Sequence, residues 1–208
     1  MLPTVASSRG SWRRYLLQLV GALLKQGEDI LTLDEYRIEF EQSSNRSISM
    51  PVAGTIIWGL VGLLSTQFSA NISIYILLFA TGGIFPIALV IAKFRNENLV
   101  SSSNPLAKLM GLCIVMVNLL WAVHIPLLLN APEFVPLSLG VGLGLHWVVY
   151  SWIVKHPVGL IHAVLRSILI VAAWYLFPNS SILAISCVIV LTYLISIYQM
   201  LTRNMIRT

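Results

Sequence analysis

The chain has 208 residues, of which 57% are apolar and 10% charged, and it carries a formal net charge of +5. These proportions lie far from the soluble globular norm and identify an integral membrane protein. The positive excess does not indicate a nucleic-acid binder, because such a protein displays its cations on a wetted face and few residues here are wetted.

Residues 1–49 read as a separate cytoplasmic segment. A helix over about 12–25 would place Trp12, Tyr15, Leu16, Leu19, Val20 and Leu23 on one face and Arg13, Arg14, Gln18 and Lys25 on the other. That is an amphipathic helix lying on the inner leaflet, with anionic lipid headgroups as its partners. A signal peptide is the competing reading. It is weakened by Gln18, which interrupts the apolar run, and by the polar stretch Lys25 to Asp29 where a cleavage site would fall. Thr32 followed by Glu35 is a capping box, which predicts a short helix over about 33–43 with Tyr36 and Phe40 on its docking face.

Six apolar runs follow, each near the ~20 residues that cross roughly 30 Å of hydrocarbon. They run from about Pro51 to Phe68, Ile72 to Ala92, Leu106 to Leu129, Leu137 to Val154, Val158 to Phe177 and Ile182 to Leu201. The connections are too short to fold separately, so residues 50–208 form one all-α, six-helix transmembrane bundle with its backbone hydrogen bonds closed inside each helix. Of the 13 Lys and Arg residues, all but Arg166 fall on one side of these runs. The opposite connections, Thr66 to Asn71, Asn130 to Pro136 and Pro178 to Ser181, carry Glu133 as their only charge. By the positive-inside rule both termini of this multi-pass membrane protein are cytoplasmic.

Within the runs, Gly82, Gly83 and Pro86 predict a bend at the centre of span two, marking a packing kink, a hinge or a cavity. Gly140 and Gly144 give span four a small-residue face for close helix contact. The two cysteines, Cys113 and Cys187, both lie in apolar runs and read as packing residues, with neither a disulfide framework nor a thiolate metal site.

Counting inward from the span ends brings Asn118, His146 and Arg166 to one level on three consecutive helices. His162 lies one turn from Arg166 on the same face, and Tyr150 one turn from His146. His124 lies about 9 Å outward of Asn118, on the outer approach. The candidate ligand-binding set is therefore Arg166, His162, His146, Asn118, Tyr150 and His124. A guanidinium at mid-bilayer costs about 2.5–3.5 kcal/mol on insertion scales. No Asp or Glu occurs in any span, and Glu133 lies roughly 15 Å away. Its partners must then come from imidazole, the Asn118 oxygen, backbone carbonyls freed near Pro86 or Pro126, water or a bound small anion.

Three intramembrane histidines raise the idea of a metal-dependent hydrolase. Such an enzyme lacks here the carboxylate base for its water, and Arg166 would repel the cation, so neither a catalytic residue nor a cofactor is assigned. The expected function is a transporter-like protein that binds or conducts a small anionic or polar solute, or a lipid headgroup. The alternative is a non-catalytic assembly, partner-binding or immunity-type protein in which Arg166 is structural.

The stretches Thr32-Leu-Asp-Glu-Tyr-Arg37, Ala131-Pro-Glu133, Gly144-Leu-His-Trp147 and His162-Ala-Val-Leu-Arg166 resemble an uncharacterised family of small bacterial multi-pass membrane proteins with a domain of unknown function. The resemblance runs from about residue 32 to the end of span six. It implies a bacterial cytoplasmic membrane and brings no activity with it.

Overall fold

A computed structural model of the chain describes residues 16–18, 31–99 and 103–205. All regular secondary structure among them is helical. The chain divides into two compact units, Met1–Glu35 and Tyr36–Thr208. Of the helix expected over 12–25, residues 16–18 are helical and exposed, and the rest lies outside the described residues.

Helix α1 spans Leu33–Ser44. Its start follows the capping box: the Thr32 amide and hydroxyl donate to Glu35 Oε2 at 2.6 and 2.8 Å, and the Glu35 amide donates back to Thr32 Oγ1 at 3.3 Å. These bonds hold the Glu35 carboxyl below its ordinary pKa.

Among the described residues, six helical stretches are long and apolar enough to cross a membrane. Span one is α2 (Ser49–Ser65), span five α9 (Val158–Leu176) and span six α10 (Ser181–Thr202). The other three are each interrupted. Span two is α3 (Ala70–Gly82) and α4 (Ile84–Arg95), span three is α5 (Pro105–Leu119) and α6 (Trp121–Asn130), and span four is α7 (Val135–Gly142) and α8 (Trp147–Ile153).

The unbroken helices form the centre, with α10 packed along both α2 and α9. Close approach depends on small residues: a Cβ at position 54 would stand 2.6 Å from the Tyr193 ring, and one at position 62 would stand 2.9 Å from Ser186 Cβ. Small residues at these crossings let the helices gain van der Waals contact, which drives association in lipid more than hydrophobic burial does. Span three is peripheral, with 11% of its most apolar stretch buried against 50% for span one.

The interruptions in spans two and four have legible causes. In span two, Gly83 donates to the Ala80 carbonyl at 2.9 Å, and Pro86 has no N–H to offer the Gly82 carbonyl. In span four, three glycines in five residues each cost the helix about 1 kcal/mol relative to alanine. The backbone there tightens to three-residue turns, with Gly144 N–H on the Val141 carbonyl at 2.8 Å and Leu145 N–H on that of Gly142 at 3.2 Å. The continuous fourth helix expected from hydropathy is therefore two helices around a turn at 143–146.

Spans four and five meet in a tight corner. Ser151 Oγ accepts from the Gly159 and Leu160 amides at 3.1 and 2.9 Å and so caps α9 from the preceding helix. Residue 159 must be glycine, because a Cβ there would lie 1.9 Å from the Trp147 carbonyl oxygen.

The face of the bundle that carries the ends of α1 and α10 is closed by a polar knot. Glu41 pairs with Arg203, and both side chains are 1% exposed. Arg46 Nη1 donates to the carbonyls of Met200, Leu201 and Arg203 at 2.6, 2.7 and 3.0 Å, which satisfies the end of α10. The turn that delivers it, Asn45–Ser47, has φ of 42°, 70° and 54° at three successive non-glycine residues. Glu97 accepts from the Ser49 amide at 2.9 Å and from Arg95 Nε at 2.6 Å.

Candidate functional site

The three interruptions converge. Thr81 and Gly82 at the break in span two, Asn118 and Trp121 around the break in span three, and Leu143 and His146 in the turn of span four line one cavity of about 170 Å³. A second cavity of about 100 Å³ adjoins it towards the terminal face, sharing Met50, Phe85, Ile114, His146 and Trp147 as walls.

Arg166 lies outside both cavity walls and is 0% exposed. Its Nε–H donates to the Gly140 carbonyl at 2.9 Å. In a regular helix that carbonyl would accept from the Gly144 amide, but the tightened turn sends this amide to Val141 and leaves the Gly140 oxygen available. The freed carbonyl comes from the glycine turn of span four, whereas Pro86 and Pro126 were the expected sources. Gly144 also provides room, since a Cβ there would stand 3.0 Å from Arg166 Cδ and 3.2 Å from Nε.

On its other side Arg166 Nη1 meets His162 Nε2 at 3.4 Å. His162 Nδ1 is 2.8 Å from Ser196 Oγ, whose hydroxyl donates to the Thr192 carbonyl at 2.9 Å. This orders the chain: Ser196 accepts from His162 Nδ1–H, and Nε2 presents its lone pair to the guanidinium. The guanidinium carbon lies 5.2 Å from the Tyr193 ring centre and 5.9 Å from that of Trp58. A charge-assisted bond of about 1.5–3 kcal/mol and desolvated cation–π contacts of about 2 kcal/mol are enough to offset the ~2.5–3.5 kcal/mol insertion cost. Arg166 Nη2 has no hydrogen-bond partner.

The Arg166–His162 pair sits one aromatic layer behind the cavity. Trp147, a cavity wall, stacks on His162 at 4.1 Å between ring centres, and Tyr193, another wall, lies 5.1 Å from the His162 ring centre and 5.2 Å from the Arg166 guanidinium carbon.

The remaining predicted residues divide between the cavity and the terminal knot. His146 lines both cavities, and its Nδ1 is buried without a partner. Asn118 lines the larger cavity and donates from Nδ2 to the Ile114 carbonyl of its own helix at 2.8 Å. His124 lines the same cavity with Nδ1 3.1 Å from Ser138 Oγ, whose hydroxyl donates to Val135, leaving His124 Nε2 as an acceptor. Tyr150 belongs to the terminal knot, where its hydroxyl donates to the Arg46 carbonyl at 3.3 Å and lies 3.4 Å from Arg203 Nη2.

Sequence reasoning missed the Gly140 carbonyl as an acceptor for Arg166, and it missed Trp147, Tyr193 and Ser196. A hint existed in Thr192 and Ser196, two hydroxyls one turn apart in an apolar run. Among the described residues, no three His, Cys, Asp or Glu side chains come together to hold a metal ion.

A family model described as a family of unknown function (DUF7010) matches residues 33–203. No curated protein and no solved structure matches the chain.

Proposed function

Because the chain belongs to the DUF7010 family, whose function is unknown, no activity comes with membership, and we propose from the geometry of the site that it binds or conducts a small anionic or polar solute, or a lipid headgroup, at the mid-bundle cavity. In this reading the six spans cross a bacterial cytoplasmic membrane, and the terminal face, which carries Arg46, Lys93, Arg95, Lys108, Lys155 and Arg203, is cytoplasmic. The amphipathic segment over 12–25 would lie on anionic headgroups of the same leaflet.

The observation that carries the proposal is His146. A buried ring nitrogen with no partner costs stability unless something hydrogen-bonds to it, and the residue that carries this one lines a cavity built by three helix interruptions. Asn118 and His124 supply further polar contacts from span three. Arg166 acts through its field. An anion touching the Tyr193 ring would sit about 9 Å from the guanidinium, where an effective dielectric near 20 gives ~2 kcal/mol, roughly 30-fold in affinity.

The test is thermal unfolding of the detergent-solubilised protein against a panel of small anions (chloride, formate, phosphate) and neutral polar solutes (urea, glycerol). Ligand-dependent stabilisation should be present in the parent protein and lost in His146→Leu. Arg166→Gln should weaken anions and spare neutral solutes. Full stabilisation of His146→Leu by the same solute overturns the proposal.

A second reading, an inert bundle whose role is assembly or partner binding, is favoured by one observation: Arg166 lies outside both cavity walls, with its Nε and Nη1 placed against the Gly140 carbonyl and His162. It predicts no stabilisation by any member of the panel.

A further inference from the structure

We propose that the mid-bundle cavity selects an uncharged solute bearing N–H or O–H groups, such as a carboxamide or a small polyol, over an anion. The inference rests on the solute-binding reading above and narrows it to one chemical class. It follows from where the protons of the wall are already committed. The Ser138 hydroxyl donates to the Val135 carbonyl at 3.2 Å, so Ser138 Oγ accepts from His124 Nδ1–H at 3.1 Å and Nε2 is left as a bare lone pair. Among the described residues nothing donates to that nitrogen and, unlike His146 Nδ1, it keeps accessible surface. A Cβ on residue 142 would stand 3.9 Å from His124 Nε2 and 2.7 Å from Leu120 Cδ1, so glycine there leaves the ring room.

Thr81 repeats the pattern at the break in span two. Its hydroxyl donates to the Leu77 and Leu78 carbonyls of its own helix at 2.9 and 3.0 Å, and only the lone pairs of Oγ1 remain. Asn118 spends one Nδ2–H on the Ile114 carbonyl, and its Oδ1 is a third acceptor. All three residues line the same cavity. The indoles of Trp121 and Trp147 and the hydroxyl of Tyr193 belong to that wall as donor groups. A carboxamide or hydroxyl both donates and accepts, so it answers both kinds of group. An anion brings lone pairs alone and leaves the acceptors of His124 and Thr81, both buried, unmet. A cation would serve the acceptors but is repelled by Arg166. The field of that arginine favours an anion, yet it acts from outside the cavity walls, whereas the acceptors are in them. With a water occupying about 30 Å³ in the liquid, a cavity of about 170 Å³ has room for about five water-sized groups, the scale of a small amide or polyol.

The experiment uses the full chain in a neutral detergent and a chloride-free buffer, and follows Tm against rising concentrations of three solutes of one shape: acetamide, acetate and acetone. Acetamide donates and accepts, acetate is the anion, and acetone is uncharged without a donor. Acetamide should give a saturable rise in Tm at concentrations roughly tenfold below those at which either of the others acts. His124→Phe should abolish that preference. Ser138→Ala spares the imidazole but releases its proton to move to Nε2, so the acetamide-to-acetate preference should fall by roughly tenfold, a change that a merely structural serine would not produce. Acetate acting as strongly as acetamide overturns the inference and leaves the anion half of the solute-binding reading standing. Acetone acting as strongly as acetamide overturns it by removing the need for a donor, and so does an unchanged preference in Ser138→Ala. No saturable shift with any of the three overturns the solute-binding reading itself.

Discussion

Two buried arginines meet the same problem with different materials. At the terminal face Arg203 has a carboxylate, Glu41, brought by a helix that is not itself a span. At mid-span Arg166 has a carbonyl released by a broken helix, a histidine braced by Ser196, and two aromatic faces. The difference follows from depth. A carboxylate at mid-bilayer would add its own desolvation cost to that of the guanidinium, whereas a carbonyl freed by a tightened turn is already inside and already dipolar. A broken helix in span four thus does for Arg166 what a whole acidic side chain does for Arg203.

If that contrast is right, the ion pair is the more fragile arrangement. Glu41→Ala leaves Arg203 buried without its carboxylate and should cost about 3–5 kcal/mol, read as a large fall in Tm. The charge-free pair Glu41→Gln/Arg203→Gln should recover most of it. Equal losses from Glu41→Ala and the double variant would mean that the charges do not couple and that the contrast has no energetic content.

The mid-span arrangement breaks more gently, through the turn that makes room for it. Gly144→Ala places a methyl group 3.0 Å from Arg166 Cδ, and displacing the guanidinium from the Gly140 carbonyl should cost about 1–3 kcal/mol. The diagnostic is coupling. In an Arg166→Leu background the same substitution should cost markedly less, because the atoms it meets are gone, and a double-mutant cycle measures the difference. A cost unchanged by Arg166→Leu would locate the requirement for glycine in the backbone instead.

These two sites were unequally legible. Hydropathy alone places six apolar stretches, and the Thr32–Glu35 spacing places the start of α1, because both signals are local and depend on side-chain type. Gly82, Gly83 and Pro86 announce the break in span two for the same reason. The break in span four was read as a smooth contact face, since spacing cannot tell a four-residue from a three-residue hydrogen bond. Arg166's best partner, a backbone oxygen, has no letter in the sequence. Depth counting put Asn118 and Arg166 at one level, but the direction of a side chain depends on how spans rotate about their axes, and Asn118 turned to its own helix and the cavity. The pairing of Glu41 with Arg203, 162 positions apart, required the fold.

The smallest effect, and the one that reaches furthest from either arginine, lies in the turn between spans four and five. Burial, and then the positive charge of Arg203, push the His156 imidazole below its ordinary pKa, with Glu41 opposing. The neutral ring is also the form that accepts from the Val158 amide at Nδ1, 3.2 Å away. An unfolded histidine titrates near 6.5, so between that value and the lower folded one the unfolded chain binds more protons. Stability from the neutral ring is therefore complete above about pH 6.5 and is lost as pH falls through the folded value. Tm should decline between pH 7 and pH 5 by more in the parent protein than in His156→Gln. Since Arg203 supplies part of the depression, Glu41→Gln/Arg203→Gln should flatten the same decline. An identical pH slope in the parent and His156→Gln would show that the field of Arg203 ends at the knot, leaving the contrast between the two arginines a purely local one.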